Sequence, residues 1–95
     1  MVYKGTEGYR LKLEFNVPIE SILNIKLDVL LPNGFKTEWF PKIDKDSNEI
    51  VYITQRGDLE VPGKYFIQPW VELDSGFKGY GEPVILVVKD NFQRA

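Results

Sequence analysis

Apolar and polar residues alternate along several short segments of the chain. Between residues 9 and 17 every odd-numbered residue is apolar and every even-numbered residue is polar. The alternation returns further on, with Ile25, Leu27, Val29 and Leu31 on one side and Asn24, Lys26 and Asp28 on the other. A period of two is the pattern of a strand that has one face in a core and one in water. Both segments are therefore predicted to be half-buried strands.

A tight turn follows the second of these strands. Pro32, Asn33 and Gly34 suit three successive turn positions. Proline presets the first backbone angle, asparagine tolerates the second position, and glycine can take the left-handed conformation. Residues 35–40 are then predicted to form the returning strand, which Pro41 ends. This is the strongest hairpin signal in the chain.

Three further strands are predicted, at residues 49–54, 64–73 and 84–89. Pro69 interrupts the second of them. Because proline cannot donate to a ladder, we expect an edge position or a bulge there, after which the inward phase can shift. The connections are predicted at residues 18–23, 42–48 and 74–82, the first of them with at most one helical turn.

The segment before the strand at residues 64–73 has the features of a tyrosine corner. The Pro62-Gly63 pair reverses the chain, and Tyr65 follows near the start of the strand. In immunoglobulin-type sandwiches a tyrosine at this place bonds through its hydroxyl to backbone a few residues upstream. The predicted structural corner is therefore Leu59, Gly63 and Tyr65, with Leu59 buried beneath the turn.

These strands, separated by turns and without a convincing helix, indicate an all-β protein. About six or seven short strands in 95 residues favour an immunoglobulin-like two-sheet antiparallel β-sandwich, with a small barrel as the alternative. A chain of this length provides one modest core. Residues 1–95 are therefore predicted to form a single domain.

The composition argues against an enzyme. The chain has no cysteine and no histidine, so it lacks a thiolate nucleophile, the commonest general base and the commonest metal ligands. No serine has a histidine to activate it, and no glycine-rich phosphate loop precedes a helix. The sequence therefore predicts no catalytic residue, no metal site and no cofactor.

The net charge and the hydropathy of the sequence limit the classes of partner that are expected. A net charge of −2 with mixed signs gives no long-range attraction to nucleic acid or anionic lipid. No apolar run approaches the roughly 20 residues of a spanning helix. The N-terminal residues lack the apolar segment of a signal peptide. We therefore expect no nucleic acid, no membrane, and synthesis in the cytoplasm.

Five short segments, taken together, carry a family resemblance. They are Leu31-Pro32-Asn33-Gly34, Ile50-Val51-Tyr52-Ile53-Thr54, Gly57-Asp58-Leu59, Pro62-Gly63-Lys64-Tyr65 and Gly81-Glu82-Pro83-Val84-Ile85-Leu86-Val87-Val88. Their succession over residues 9–89 resembles small tailed-bacteriophage virion proteins, including the immunoglobulin-like N-terminal domain of baseplate upper proteins. The resemblance implies a non-enzymatic virion component of the tail, baseplate, neck or capsid surface, made in the host cytoplasm. It also implies docking to other virion proteins and to copies of itself.

The last strand and the large aromatic rings supply the candidate interaction residues. Residues 84–88 are all apolar. Because a terminal strand of a sandwich normally has one face in water, a partner is expected to cover the outer face of this strand. The rings are too numerous for one small core, which favours an interface patch. The predicted docking residues are Trp70, Phe77, Tyr80, Ile85 and Val87. One alternative is a carbohydrate-recognition module that stacks sugars on Trp39, Trp70 and Tyr80, and another is that both sheet faces are merely rich in rings.

Two loop motifs have simpler structural interpretations. Arg56-Gly57-Asp58 spells an adhesion tripeptide, but it stands where the fold needs a turn. Residues 44–49 alternate oxygen donors as a Ca²⁺ loop does, yet they lack the following glycine and the later glutamate of that pattern. Both segments are therefore predicted to be solvated turns.

Overall fold

The computed structural model describes residues 2–13, 18–47 and 49–90. These residues form nine strands and one 3₁₀ turn, Ile19–Ser21. The strands are β1 Val2–Tyr3, β2 Arg10–Leu13, β3 Ile22–Leu30, β4 Lys36–Trp39, β5 Lys42–Asp44, β6 Glu49–Ile53, β7 Gly63–Leu73, β8 Lys78–Tyr80 and β9 Val84–Lys89. The end of the predicted first strand, residues 14–17, lies outside the described residues.

The strands form two sheets that pack face to face. The larger sheet has the order β1-β9-β7-β3-β4, and β8 also pairs with β7. The smaller sheet has the order β2-β6-β5. The predicted all-β two-sheet sandwich is confirmed.

The described residues form nine strands, more than the six or seven predicted, and one of the pairings is parallel. The strands that the sequence pattern missed are β1, β5 and β8, which have only two or three residues each. Such lengths are too short to show a period of two. β1 pairs in parallel with β9, through Val2 with Val88 and Tyr3 with Lys89. A pairing between the two ends of the described chain is a non-local contact that no local pattern indicates.

The core lies between the sheets, and in β2 and β3 it uses the alternate residues that the sequence pattern selected. The larger sheet contributes Leu27, Val29, Tyr65, Ile67, Leu86 and Val88, and the smaller sheet contributes Leu11, Leu13, Ile50 and Tyr52. Trp39 of β4 joins them, and its ring stacks on Tyr52 with centroids 4.8 Å apart. Each fully buried apolar side chain of this size contributes about 1.5–3 kcal/mol.

The turn before β7 forms the predicted corner. The Tyr65 hydroxyl donates to the carbonyl oxygen of Val61 at 2.7 Å and accepts from its N–H at 3.1 Å. Leu59 and Tyr65 are both fully buried, as the sequence predicted. Gly63 has φ +131°, and a Cβ there would lie 2.6 Å from the Cβ of Pro32. This position therefore requires glycine for both its backbone angle and its close approach.

Pro69 lies inside the central strand, so the predicted edge position, bulge and phase shift were wrong. β7 continues through it in register, with Leu27 opposite Pro69 and Val71 still buried. On the other side of β7, β9 pairs only up to Ile67 and β8 only from Trp70. The backbone of Pro69 faces the gap between β9 and β8, where its carbonyl oxygen accepts the N–H of Gly81 at 2.8 Å. The missing proline N–H therefore removes no ladder bond.

Replacing Tyr65 with phenylalanine tests the corner. We expect the free energy of unfolding to fall by about 1–3 kcal/mol, because both backbone groups of Val61 lose their partner. Urea-induced unfolding followed by tryptophan fluorescence measures the change. Tyr3→Phe is the matched control, since Tyr3 is exposed on the outer side of the sandwich. Equal losses in the two variants would contradict a structural role for the corner.

A second prediction concerns alkaline pH. Burial raises the pKa of Tyr52 far above its usual range, and a hydrogen bond to the Asp58 carboxylate adds to the shift. Burial also raises the pKa of Tyr65. A raised pKa in the folded state means that stability is intact below the unfolded value of about 10 and is lost above it. The free energy of unfolding should therefore decline above about pH 10, and less steeply in Tyr52→Phe. If the free energy of unfolding declined equally in the wild type and in Tyr52→Phe, the loss of stability could not be assigned to Tyr52.

Candidate functional site

The outward-facing side of the larger sheet carries the candidate site. Along β7 the residues Tyr65, Ile67, Pro69 and Val71 point inward and are buried. The residues between them, Lys64, Phe66, Gln68, Trp70 and Glu72, point outward. Ile85 and Val87 of β9 pair with outward-facing residues of β7, and so does Tyr80 of β8. Four of the five predicted docking residues therefore share one face, namely Trp70, Tyr80, Ile85 and Val87.

One end of this face is apolar. The strand register sets Ile85 beside Phe66, Phe66 beside Leu30, and Leu30 beside Lys36, so that one row crosses four strands. Val87 and Tyr3 extend the row toward the end of the sheet. We call this group the apolar half, consisting of Tyr3, Leu30, Phe66, Ile85 and Val87. Its side chains are between 37% and 55% exposed.

Three lysines surround the apolar half and form what we call the lysine rim. Lys36 is registered opposite Leu30, Lys64 opposite Val87, and Lys89 opposite Tyr3. None of the three takes part in the salt bridges formed among residues 2–13, 18–47 and 49–90. The apolar half is therefore rimmed by three lysines that form none of these salt bridges.

The other end of the same face is polar, and its charges are paired. The Lys26 Nζ lies 2.7 Å from Glu38 Oε2 and 3.6 Å from Asp28 Oδ1. The Tyr80 hydroxyl donates to Asp28 at 2.8 Å. We call the group Lys26, Asp28, Glu38, Trp70 and Tyr80 the polar half. Its ion pairs are exposed, so each adds little to stability.

Two aromatic rings lie side by side in the polar half. Trp70 and Tyr80 are cross-strand partners, and Tyr80 is 56% exposed. The Lys26 ammonium stands over the half-buried Trp70 ring, 5.7 Å from its centroid. The hydrogen bond to Glu38 is the main cause that raises the pKa of Lys26, and the bond to Asp28 raises that of Tyr80. A groove of about 520 Å³ runs beside Tyr80 and is lined by Gln68 and Lys36 among others. Rings beside such polar groups can bind a flat, hydroxyl-rich ligand.

The structure separates Phe77 and Trp39 from the other predicted site residues. Trp39 is buried in the core against Tyr52, so the prediction that it stacks on a sugar was wrong. Phe77 is exposed, but its ring lies where a Cβ on Gly79 would point. Gly79 pairs with the inward-facing Val71, so Phe77 lies on the side of the sheet opposite to Trp70. The period-two pattern of a strand could not predict the side of the sheet on which Phe77 lies, because Phe77 belongs to the turn between β7 and β8.

The two loop motifs have structural roles. The Asp58 carboxylate accepts from the Gln55 N–H at 2.8 Å and from the Tyr52 hydroxyl. The Asp44 carboxylate accepts from the Asp46 N–H at 3.1 Å, and hydrogen bonding with Ser47 lowers the pKa of Asp44. Asn48, which belongs to the same segment, lies outside the described residues. Each carboxylate stabilises its own turn.

Sequence reasoning missed three of the five residues of the apolar half and all of the lysine rim. Leu30, Phe66 and Tyr3 were not selected, although Leu30 and Phe66 have the phase opposite to the buried residues of β3 and β7. That opposite phase was the available signal. No signal in the sequence indicated the lysine rim, because its three lysines come from three strands that are brought together only in the folded sheet.

Comparisons with protein-family models, curated proteins and solved structures found no match to this chain. The resemblance to phage virion proteins therefore remains a prediction. Among the residues that the structure describes, no helix is long and apolar enough to cross a membrane.

Proposed function

We propose that this domain is a non-enzymatic structural or assembly protein of a bacteriophage particle, which docks through the outer face of its larger sheet. The observation that carries the proposal is the apolar half, in which the exposed side chains of Leu30, Phe66 and Ile85 are registered side by side on three neighbouring strands. Contiguous apolar surface rimmed by polar residues is typical of protein interaction sites. The partners proposed are other virion proteins and copies of the chain itself.

The energetics favour covering this surface. Ile85, Phe66 and Val87 each keep about half of their surface in water. Burying the rest would contribute on the order of 1 kcal/mol for each side chain. Residues at the centre of such a row are the usual anchors of an interface, while the charged rim selects the partner. The particle assignment itself rests on the resemblance of the segments between residues 31 and 88 to virion proteins.

Particle association gives the direct test. Lysate from the native source is banded on a density gradient, and peptides of the chain are quantified by mass spectrometry. We expect the chain to band with intact particles at a fixed ratio to a major shell or tube protein. Ile85→Ser should lower that ratio several-fold, because it replaces the most exposed apolar side chain of the apolar half with a hydroxyl group.

Ile53→Ser is the matched control for this experiment. Ile53 is also an isoleucine in a strand and is 50% exposed, against 55% for Ile85, but it lies on the smaller sheet. We expect it to leave the ratio unchanged. A chain that stays in the soluble fractions while particles band elsewhere would refute the virion proposal. Equal losses with both variants would refute the face as the docking surface.

Carbohydrate recognition is a second candidate function. The observation that favours it is the cross-strand pair Trp70 and Tyr80, which lies beside Asp28, Gln68 and Lys26. Sugars present one apolar face that stacks on rings and hydroxyls that bond to such polar groups. The two candidate functions use different halves of the same face.

Glycan retention distinguishes this second function. On a glycan array, Tyr80→Ala should abolish binding, since it removes the exposed ring and its hydrogen bond to Asp28. Phe77→Ala is the matched control, because Phe77 is equally large and exposed but lies on the other side of the sheet. No retention by the wild-type chain, or equal losses in both variants, would count against a sugar site.

A further inference from the structure

The strand β4 stands at one end of the larger sheet and has an open edge. It pairs with β3 over its whole length. Among the residues that the structure describes, no strand pairs with its other edge. An open edge presents backbone N–H and C=O groups that can pair with another chain.

The backbone groups of Lys36 and Glu38 point to this open edge. The Leu31 N–H donates to the carbonyl oxygen of Phe35 at 2.8 Å, so the backbone of Phe35 faces β3. Successive residues of a strand direct these groups to alternate sides. The backbone of Thr37 therefore faces β3 as that of Phe35 does. Lys36 and Glu38 alternate with them and direct their N–H and C=O groups away from β3.

The inner side of β4 carries side chains that the smaller sheet leaves exposed. Phe35 lies opposite Leu31, which packs against the core, so Phe35 has the inward phase. Thr37 and Trp39 share this phase, yet only Trp39 is buried. Phe35 is 71% exposed, the highest value for a large apolar side chain among residues 2–13, 18–47 and 49–90. A groove of about 380 Å³ opens beside this side of β4 and is lined by Leu31, Thr37, Trp39 and Tyr52 among others.

The two charges of β4 decide how a second copy of the chain can pair with this edge. Lys36 and Glu38 are two residues apart, so both lie on the outer face. A two-fold antiparallel pairing centred on Lys36 sets lysine opposite lysine, and one centred on Glu38 sets glutamate opposite glutamate. Like charges directly opposite each other are destabilising. A pairing centred on Thr37 instead sets each Lys36 opposite Glu38 of the other copy. The charges therefore favour one register.

This register also brings the exposed Phe35 to the groove of the second copy. With Thr37 at the two-fold axis, Phe35 lies opposite Trp39 of the other copy, on the inner side of the continuous sheet. Trp39 lines the groove, so the Phe35 ring can enter it. A large side chain that fills a pocket is a common anchor of an interface. The two-fold symmetry provides two such anchors.

The outer face also gains in charge balance from this pairing. In the polar half the carboxylates of Asp28 and Glu38 share one ammonium group, that of Lys26. Lys36 takes part in none of the salt bridges within the described part of the chain. In the register centred on Thr37, Lys36 of the second copy supplies a second ammonium group beside Glu38. The charge pattern of β4 is therefore complementary to itself.

We infer that two copies of this chain pair in antiparallel fashion through the open edges of β4, with Thr37 at the two-fold axis. Phe35 of each copy fills the groove of the other. Because this contact extends the larger sheet at its edge, it leaves the apolar half of both copies exposed. The contact therefore goes beyond the docking function proposed above and does not depend on it.

Sedimentation equilibrium of the full chain tests the pairing, over a series of concentrations up to about 1 mM. We expect a monomer that associates to a dimer and no further, because a two-fold contact is closed. Lys36→Glu and Glu38→Lys should each lower the association constant about tenfold or more, since each sets like charges opposite each other at two symmetric places. An equimolar mixture of these two variants should associate again, because an acidic β4 then meets a basic one.

Lys45→Glu is the matched control for the charge reversals. It changes the net charge as Lys36→Glu does, but Lys45 is an exposed residue that follows β5 of the smaller sheet. We expect it to leave the association constant unchanged. A chain that stays monomeric at every concentration would overturn the inference. Association that survives both charge reversals, or a mixture that fails to associate, would also overturn it.

A disulfide tests the register. The chain has no cysteine, so Thr37→Cys introduces a single thiol. In the register centred on residue 37 the two Cα atoms lie about 4.5 Å apart, which a disulfide can span. We expect oxidation to cross-link this variant into a dimer, whereas Ser75→Cys, in the exposed turn between β7 and β8, should stay monomeric. Equal cross-linking of the two variants would refute the register.

Replacing Phe35 tests the groove. Phe35→Ser should lower the association constant about tenfold, because both anchors are lost. Phe77→Ser is the matched control, since Phe77 is also a largely exposed phenylalanine but lies in the turn between β7 and β8. Equal association of the two variants would refute the role of the groove.

The outcome is separable from that of the docking proposal. If Ile85→Ser lowers particle incorporation but the wild-type chain is monomeric in sedimentation, docking stands and the pairing through β4 is refuted. If the dimer forms and depends on Lys36 and Glu38, but the chain never bands with particles, the pairing stands and the virion assignment fails.

Discussion

The hydrogen bond between Tyr65 and the backbone of Val61 sets the phase of β7, and the rest of the sandwich depends on that phase. β7 pairs with β3, β8 and β9 and is the longest strand. Since side chains alternate with a period of two, a slip of one residue would exchange its two faces. The buried Tyr65 ring in contact with Trp39 and the bond to Val61 together exclude that slip. The same constraint therefore buries Ile67 and presents Phe66.

The outer face of the larger sheet divides into two halves with different electrostatics. In the polar half Lys26 neutralises Asp28 and Glu38, which would otherwise repel each other as cross-strand neighbours. The three lysines of the lysine rim take part in none of the salt bridges formed among residues 2–13, 18–47 and 49–90. A surface whose charges are already paired within the protein gains little electrostatic free energy from a charged partner. Under the proposed docking function, a negatively charged partner would therefore gain most beside the lysine rim.

β9 belongs both to the core and to the proposed docking surface. Its inward residues Leu86 and Val88 complete the core, and its outward residues Ile85 and Val87 form the exposed side of the apolar half. One short strand therefore contributes side chains to the core on one face and to the exposed surface on the other. A substitution at Ile85 changes the surface and leaves the core packing intact, which makes function and stability separable at this strand.

The alternating pattern and the turn residues by themselves determined the sandwich, the hairpin at Pro32 to Gly34 and the corner at Tyr65, because these are local or period-two features. The unbroken apolar run at residues 84–88 also led to the prediction that Ile85 and Val87 meet a partner. Only the tertiary structure decided the burial of Trp39, the opposite side taken by Phe77 and the place of Pro69 in a central strand. It also assembled the lysine rim from three strands. These outcomes depend on which strands become neighbours, and strand neighbours are set by the packing of the whole chain rather than by any local run of residues.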